Sequence, residues 1–280
     1  MTIVTLISLS IFVGLLWAEK DPLGLPETYI PVSLDDYPLG KKHRNGWSLP
    51  EVLHEVSGVA VVDADRIFIH NDESAVIYEF NVSTREVTPR FQLGDPPLSL
   101  DLEGIALIDS DVYLVLSTGQ IYKIRNGVSR RGIIDDYEIF DSGMQGLCEI
   151  ESLEEDIDAG ALVFACKQVY GEDYISVYRY KPGDDRSVKL FDLSFATLGG
   201  KFHPSAISTQ FGSYIILAGK QHLIRQVSSG GEVMTSAKLK KKHHQQAEGI
   251  GFLPDGRLII ADEGKNRKGR ISVYRPGAGP

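Results

Sequence analysis

The sequence predicts an all-β fold made of five similar units, and three observations support this. A strand–turn–strand segment recurs five times, beginning at Glu55, Asp101, Glu149, His203 and Gln246. A third strand with a Tyr or Ile follows each segment, and four steps of 49 residues on average lead from Tyr78 to Tyr274. Segments that suit a fourth strand separate the units. Four strands at a period of roughly 40–50 residues are typical of propeller blades. We therefore predict a five-bladed β-propeller, with six blades as the alternative.

Closure of the ring is the next expectation. The last unit ends soon after its third strand, at Tyr274, and so lacks an outer strand. An unpaired strand edge promotes aggregation, so proteins usually cover it. The segment TYIPVSL, residues 28–34, has no other obvious partner. We predict that it pairs with the last blade, and we assign residues 28–280 to the propeller domain.

The N-terminus predicts export. Residues Ile3–Trp17 form an almost unbroken apolar run, which is shorter than the roughly 20 residues of a membrane span. Residues 1–18 are therefore predicted to be a cleaved signal peptide or a retained membrane anchor, with 19–27 as a linker. The folded part would then lie in the periplasm or face outward from the cell membrane, with membrane association through the N-terminal segment.

The net charge and the cysteine spacing give no support for nucleic-acid binding or for zinc and redox chemistry. The formal charge is −9, which gives no support for nucleic acid as a partner. Cys148 and Cys166 lie near the two ends of one predicted hairpin, so contact between them is feasible. Buried free thiols are the expected state, and no CxxC spacing indicates zinc or redox chemistry.

Two columns of polar residues line up across the repeats. Because the first strand of a blade lines the channel, and residues two apart share a face, both columns are predicted to face the axis. The deeper column comprises Ser57, Glu103, Glu151, Ser205 and Glu248. The column nearer the mouth comprises Glu55, Asp101, Glu149, His203 and Gln246. The second strands return to the same mouth, where they place Asp72, Lys167, Lys220 and Asp262.

Six carboxylates in one channel repel one another. At a separation of ~6 Å, two unit charges cost roughly 3 kcal/mol in a medium of intermediate dielectric constant. Protonation, pairing with Lys167 or Lys220, or a bound cation would relieve this repulsion. The donors are nearly all oxygen, which favours Ca²⁺, then Mg²⁺ or Mn²⁺. The sequence thus predicts a calcium site, with a water-filled acidic channel as the alternative.

Two basic features have structural and functional interpretations. His203 is the one histidine in the channel columns. We interpret it as a hydrogen-bonding rim residue or, alternatively, as a catalytic base or metal ligand with His70 as a partner. The run Lys238–His244 is interpreted as a solvated loop, with contact to anionic lipid as the alternative.

Several motifs together resemble one known family. These are WSLPEVLHEVSGVA, HNDES, DLEGIA, FACK, KFHPSAIS and QAEGIGFLPDGRLIIADEG, between about Trp47 and Tyr274. They resemble the SdiA-regulated (YjiK-like) family. The resemblance implies an envelope protein with a five-bladed propeller and bound calcium, with Glu103, Glu151 and Glu248 as the foremost ligands. The Pro-Asp-Gly-x-Leu hairpin also resembles NHL repeats, some of whose relatives are calcium-dependent lactonases or phosphotriesterases.

Two functions are therefore expected from the sequence. The first is an exported, calcium-binding module that binds a small molecule or an envelope protein. The second is a calcium-dependent hydrolase of lactones or phosphoesters, with His203 as the candidate base. The absence of a nucleophile motif favours the first.

Overall fold

The computed structural model describes residues 33–41 and 45–277, and nearly all of their regular structure is β. Five sheets of four or five strands follow one another, which confirms the five-bladed propeller. The innermost strands contact one another in cyclic order, so the blades form a closed ring. No helix in the described ranges has the length and apolar character needed to cross a membrane. The predicted signal or anchor, residues 1–18, lies outside the described residues, as does the linker 19–27.

The first two blades contain nine strands, including one that is added from a loop. Blade 1 runs outward from the axis as β2 (Val56–Val61), β3 (Arg66–Asn71), β4 (Val76–Asn81) and β5 (Val87–Leu93). Blade 2 consists of β6 (Leu102–Ile108), β7 (Asp111–Leu116), β8 (Gln120–Ile124) and β10 (Glu138–Asp141). Before β10, the chain forms β9 (Gly132–Ile134), which pairs in parallel with β5 and covers that edge of blade 1.

The other three blades complete the ring. Blade 3 has an inner strand broken into β11 (Cys148–Ile150) and β12 (Glu154–Asp156), followed by β13 (Ala161–Val169), β14 (Tyr174–Tyr180) and β15 (Val188–Ser194). Blade 4 follows the short helix Phe195–Leu198 and comprises β16 (Ala206–Gln210), β17 (Ser213–Ala218), β18 (Leu223–Ser228) and β19 (Val233–Lys238). Blade 5 contains β20 (Ala247–Phe252), β21 (Leu258–Asp262), β22 (Arg270–Tyr274) and, outermost, β1 (Gly46–Ser48).

The hydrophobic core lies between the blades. Five clusters of buried side chains are present in the described part of the chain, and each joins two neighbouring blades. The alternation of each strand explains this, since its two faces pack against two different blades. The cluster between blades 4 and 5 also takes in Leu34, Tyr37 and Leu39 from the segment before β1. Burial of apolar area at five interfaces holds the ring closed.

The segment that closes the ring differs from the one expected. The outer strand of blade 5 is β1, in which Gly46 pairs with Ser272 and Ser48 with Arg270. Of the expected segment 28–34, residues 28–32 lie outside the described residues. Leu34 begins a short 3₁₀ helix, and its backbone N–H donates to Gln226 Oε1 in blade 4 at 3.0 Å. The closing strand is only three residues long, so no alternating pattern marks it in the sequence.

The cysteines also differ from the expectation of free thiols. Cys148 in β11 and Cys166 in β13 form a disulfide bond, with their Cα atoms 5.7 Å apart. Both side chains are buried, as expected, in the cluster between blades 2 and 3. The bridge fastens the short inner strand of blade 3 to its neighbour next to the channel.

Candidate functional site

A β-bulge directs the deeper channel residues in three of the blades. The pairing between the first and second strands shifts by one residue at Ser57, Glu103 and Glu248. A bulge leaves one residue without a partner across the ladder and changes the direction of its side chain. These three positions are the ones that the repeats align, so the same irregularity places all three side chains at the axis.

The glycines after two of these bulges, Gly104 and Gly249, let neighbouring inner strands approach closely. A Cβ atom on Gly104 would lie 2.5 Å from the backbone nitrogen of Leu153 in blade 3. A Cβ atom on Gly249 would lie 2.6 Å from Val59 Cγ2 in blade 1. Any larger residue would push the blades apart, so the recurrent Glu-Gly pair combines a carboxylate with a narrow channel.

The narrow channel contains a small polar cavity. It has a volume of about 10 Å³, close to the smallest that holds one water molecule. The polar side chains that line it are Ser57, Glu103, Ser152, Ser205 and Glu248. Four of these five belong to the predicted deeper column. The fifth, Ser152, follows Glu151 where the inner strand of blade 3 is broken.

Glu103 and Glu248 are acidic groups without a cationic partner. Burial, together with the charges of Glu151 and Asp101, raises the pKa of Glu103 to about 9. Burial and the charge of Glu151 raise the pKa of Glu248 to about 8. Within the described residues, neither carboxylate forms an ion pair with a lysine or arginine. In the absence of a cation, both groups would bind protons at neutral pH.

The third deep carboxylate has a cationic partner. Lys167 Nζ bonds to Glu151 Oε1 and also lies 3.0 Å from Glu149 Oε1. Burial raises the pKa of Glu151, and the Lys167 ammonium opposes that shift. Lys220 is exposed, but its charge lowers the pKa values of Glu151 and Glu248. The carboxylates of blade 3 thus share a lysine partner, whereas Glu103 in blade 2 and Glu248 in blade 5 have none in the described chain.

The mouth between blades 1 and 2 is acidic. Burial raises the pKa of Asp72, and the charges of Glu55, Glu73 and Asp101 raise it further. Asp72 Oδ1 is buried and has no hydrogen-bond partner in the described structure. Asp101 is exposed and accepts a hydrogen bond from the Ser117 hydroxyl. The predicted mouth residues of these two blades therefore do lie close together.

His203 and Ser205 connect blades. The ring of His203 contacts the Lys167 backbone oxygen through Nδ1 at 3.1 Å, and its backbone N–H donates to Gln221 Oε1. Ser205 Oγ donates to the Ala247 oxygen at 2.7 Å and accepts from the Gly219 N–H at 3.0 Å. These contacts agree with the interpretation of His203 as a hydrogen-bonding rim residue. His70, its suggested partner, lies in blade 1, where its Nδ1 bonds to the Asn71 oxygen at 2.8 Å.

Asp262, which the sequence places at the channel mouth, belongs to a buried hydrogen-bond network with His244 and Tyr274. Its Oδ2 lies 2.9 Å from His244 Nδ1, and His244 Nε2 lies 2.5 Å from the Tyr274 hydroxyl. The His244 side chain is inaccessible to solvent, and Asp262 is 3% exposed. No motif in the sequence indicates this network, because His244 belongs to a basic loop before blade 5. The end of a strand predicts where Asp262 lies along the channel, but not which face it occupies.

The residues that line the channel cavity have the oxygen donors that a calcium ion prefers, but they supply few protein ligands. Two half-buried carboxylates, Glu103 and Glu248, and a serine hydroxyl are hard oxygen donors, as calcium prefers. Nowhere in the described ranges, however, are three Asp, Glu, His or Cys side chains grouped as ligands of one metal ion. Calcium takes about six to eight oxygen ligands. An ion held by Glu103 and Glu248 would therefore need hydroxyl, backbone or water oxygens as well.

Comparisons with known proteins support the fold. The chain matches no known protein family, and no curated protein is significantly similar in sequence. Glutaminyl cyclase from Myxococcus xanthus has a similar structure, with a TM-score of 0.57 and 11% identity, over 84% of this chain and 95% of that chain. The PQQ-bound aldose sugar dehydrogenase from Streptomyces coelicolor gives a TM-score of 0.51 and 14% identity, over 84% and 99% of the two chains. A luciferin-regenerating enzyme gives 0.52 and 11%, over 81% and 94%.

These similarities establish a β-propeller and no more. At such identities a common fold carries no common chemistry, because propellers host many unrelated functions. Membership in the SdiA-regulated family stays a prediction from the quoted motifs.

Proposed function

We propose that this chain is an exported binding propeller whose channel holds a divalent cation, calcium first, between Glu103 and Glu248. The observation that carries the proposal is geometric: Glu103 and Glu248 line one cavity at the axis, and in the described chain neither forms an ion pair with a lysine or arginine. Both side chains are half-buried beside a third carboxylate that already has its own lysine, and their raised pKa values, about 9 and about 8, agree with this. A cation between them would supply the charge that the described side chains do not.

Protons are the competing occupants of the same oxygens. With pKa values of about 9 and 8, Glu103 and Glu248 hold protons near neutral pH until a cation displaces them. Metal binding to protonated ligands releases those protons and strengthens as the pH rises. Calcium affinity should therefore increase from about pH 6 to about pH 9, which a cation bound to exposed, already ionised carboxylates would not show.

Export is supported by two features of the chain. Residues Ile3–Trp17 are apolar in the manner of a secretory segment. The Cys148–Cys166 disulfide suits an oxidising compartment such as the periplasm. We place the propeller in the cell envelope on these grounds. The acidic mouth around Asp72 and Asp101 would face a small molecule or an envelope protein.

A hydrolase is not favoured. His203 was the candidate base, and its Nδ1 contacts the Lys167 backbone oxygen. Serine hydroxyls beside the channel are also engaged, since Ser205 Oγ joins blades 4 and 5. The described site therefore shows no pairing of a nucleophile with a base. A binding role needs neither group.

Calorimetric titration of the metal-free protein with calcium tests the proposal. At about pH 7 the wild-type protein should bind one ion and release about two protons, because both carboxyls are protonated beforehand. The released protons are counted by repeating the titration in buffers of different ionisation enthalpy. Magnesium and manganese chloride, titrated in the same way, rank the cations.

Glu103→Gln and Glu248→Gln should each abolish most of the binding, because each removes one of the two carboxylates. Glu232→Gln is the matched control, since this side chain is exposed on blade 4, away from the channel. An absence of calcium binding to the wild-type protein would contradict the proposal. Undiminished binding by the double Glu103→Gln/Glu248→Gln variant would contradict it as well.

A further inference from the structure

A second cavity lies outside the channel, on the last blade. It has a volume of about 300 Å³, at the lower end of the range for small-molecule sites. Four cationic side chains contribute to its lining: Lys242, Arg267, Lys268 and Arg270. In the described parts of the chain, none of the four is paired with a carboxylate. On a chain with a formal charge of −9, this concentration of unpaired positive charge requires a local explanation.

The loop between β21 and β22, which carries Arg267 and Lys268, is held in place by hydrogen bonds. The Gly264 N–H donates to the His54 oxygen at 2.7 Å, and the Leu49 N–H donates to the Gly269 oxygen at 2.7 Å. With its amide oriented to satisfy both neighbours, Gln245 donates to the Gly264 oxygen at 2.9 Å and accepts from Arg267 Nε at 3.1 Å. The arginine is thus oriented by a side chain of the pocket itself. Preorganised donors lose less entropy when a ligand binds.

The pocket also has an acidic wall. Asp262 lines it, and only one of the two carboxylate oxygens is satisfied, by His244 at 2.9 Å. Asp262 Oδ1 is buried without a hydrogen-bond partner in the described structure. Glu263, the other acid of the pocket, accepts from Gln246 Nε2. A buried acceptor without a donor is costly, so a ligand hydroxyl at Asp262 would be stabilising.

We propose that this pocket binds a polyol phosphate, that is, a phosphate group with a hydroxyl group close to it. The cationic side chains bind the phosphate oxygens, and the two arginines suit planar, bidentate contact. The hydroxyl donates to the free oxygen of Asp262. The basic run Lys238–His244 then contributes Lys242 to a defined site, while Lys240 and Lys241 stay outside its lining. The proposal is independent of any cation in the channel.

Glycerol phosphate has this chemistry both as a free metabolite and as the headgroup of phosphatidylglycerol. Two arms of the experiment distinguish these sources. In the first, the full chain is titrated calorimetrically with glycerol 3-phosphate and with inorganic phosphate. In the second, it is sedimented with vesicles of phosphatidylglycerol in phosphatidylcholine, with pure phosphatidylcholine vesicles for comparison.

Lys242→Gln/Lys268→Gln is the informative variant, because both side chains are exposed and removable without loss of core. It should weaken binding about tenfold or more, as expected for the loss of charge-assisted hydrogen bonds. Lys240→Gln/Lys241→Gln is the matched control, since it removes the same charge next to Lys242 but outside the pocket. Its binding should stay within about twofold of the wild type, the difference that screening of remote charges leaves.

Binding in either arm that is lost in the pocket variant and kept in the control supports the proposal. The proposal is overturned if the wild type binds in neither arm. It is also overturned if both variants weaken binding equally, which would indicate a diffuse charge effect. Equal affinity for inorganic phosphate and glycerol 3-phosphate would overturn the hydroxyl contact assigned to Asp262.

Discussion

Single residues determine which of the channel carboxylates have a cationic partner. Lys167 forms ion pairs with Glu149 and Glu151, whereas Glu103 and Glu248 have no such partner in the described chain. The channel therefore combines two of the solutions that the sequence allowed, pairing in blade 3 and proton or cation binding in blades 2 and 5. The sequence could name the carboxylates and the lysine, because the repeats align them. It could not identify the carboxylates with which the lysine pairs, since that depends on side-chain distances.

Replacing Lys167 with methionine tests the pairing. Lys167→Met keeps the apolar stem but leaves Glu151 buried without a counter-charge, so unfolding should require about 2 kcal/mol less free energy at neutral pH. The loss should be smaller near pH 5, where Glu151 in the variant takes up a proton. Urea denaturation at both pH values measures it.

The double variant Lys167→Met/Glu151→Gln should regain most of the lost stability, since no buried charge then remains at that position. A loss that is the same at both pH values, or that the second substitution fails to reduce, would show that Lys167 acts through packing alone.

Among the elements, the strands were largely predictable and the irregularities were not. Alternating polarity predicted the hairpins and the outer strands β5, β10, β15 and β19, because each has a face packed against a neighbouring blade. The β-bulges that orient Glu103 and Glu248 towards the axis cannot be predicted from the amino-acid composition of their strands. The three residues of β1 are too few to show a period. The end of β21 predicts the position of Asp262 along the channel axis. It does not predict on which face of the strand the carboxylate lies.

The disulfide is the element whose removal has the clearest expected effect. It closes a loop between residues 18 positions apart and fastens β11 to β13. Losing it should lower the free energy of unfolding by about 3 kcal/mol, chiefly because the unfolded chain gains freedom. Denaturation of the wild type with and without reductant measures the change.

Cys148→Ala/Cys166→Ala is the control, and its denaturation midpoint should not respond to reductant. If the wild-type midpoint is equally unresponsive, the two sulfur atoms are not bonded in the purified protein, and the interpretation as free thiols would stand.

At the scale of the whole molecule, the ring concentrates acidic groups at its axis. Because the folded pKa values of Glu103 and Glu248 are raised above the unfolded value of 4.5, the folded state holds more protons than the unfolded state. Their contribution to stability is complete below about pH 4.5 and is lost as the pH rises through about 8 and 9. Burial lowers the pKa of His70 to about 4, so this group has the opposite effect: it reduces stability as the pH falls below its ordinary pKa of 6.5. The window from about pH 6.5 to 9 therefore isolates the two glutamates best, although Glu154, with a pKa of about 7, adds to the same trend.

The most direct measurement is the free energy of unfolding across that window, with and without calcium. We predict that the metal-free protein loses about 5 kcal/mol between about pH 6.5 and 9, and that saturating calcium removes most of this loss. Glu103→Gln/Glu248→Gln should show a flatter profile that calcium does not change. A wild-type profile that is flat without calcium, or that is identical with and without it, would contradict the claim that two buried carboxylates at the axis hold a cation.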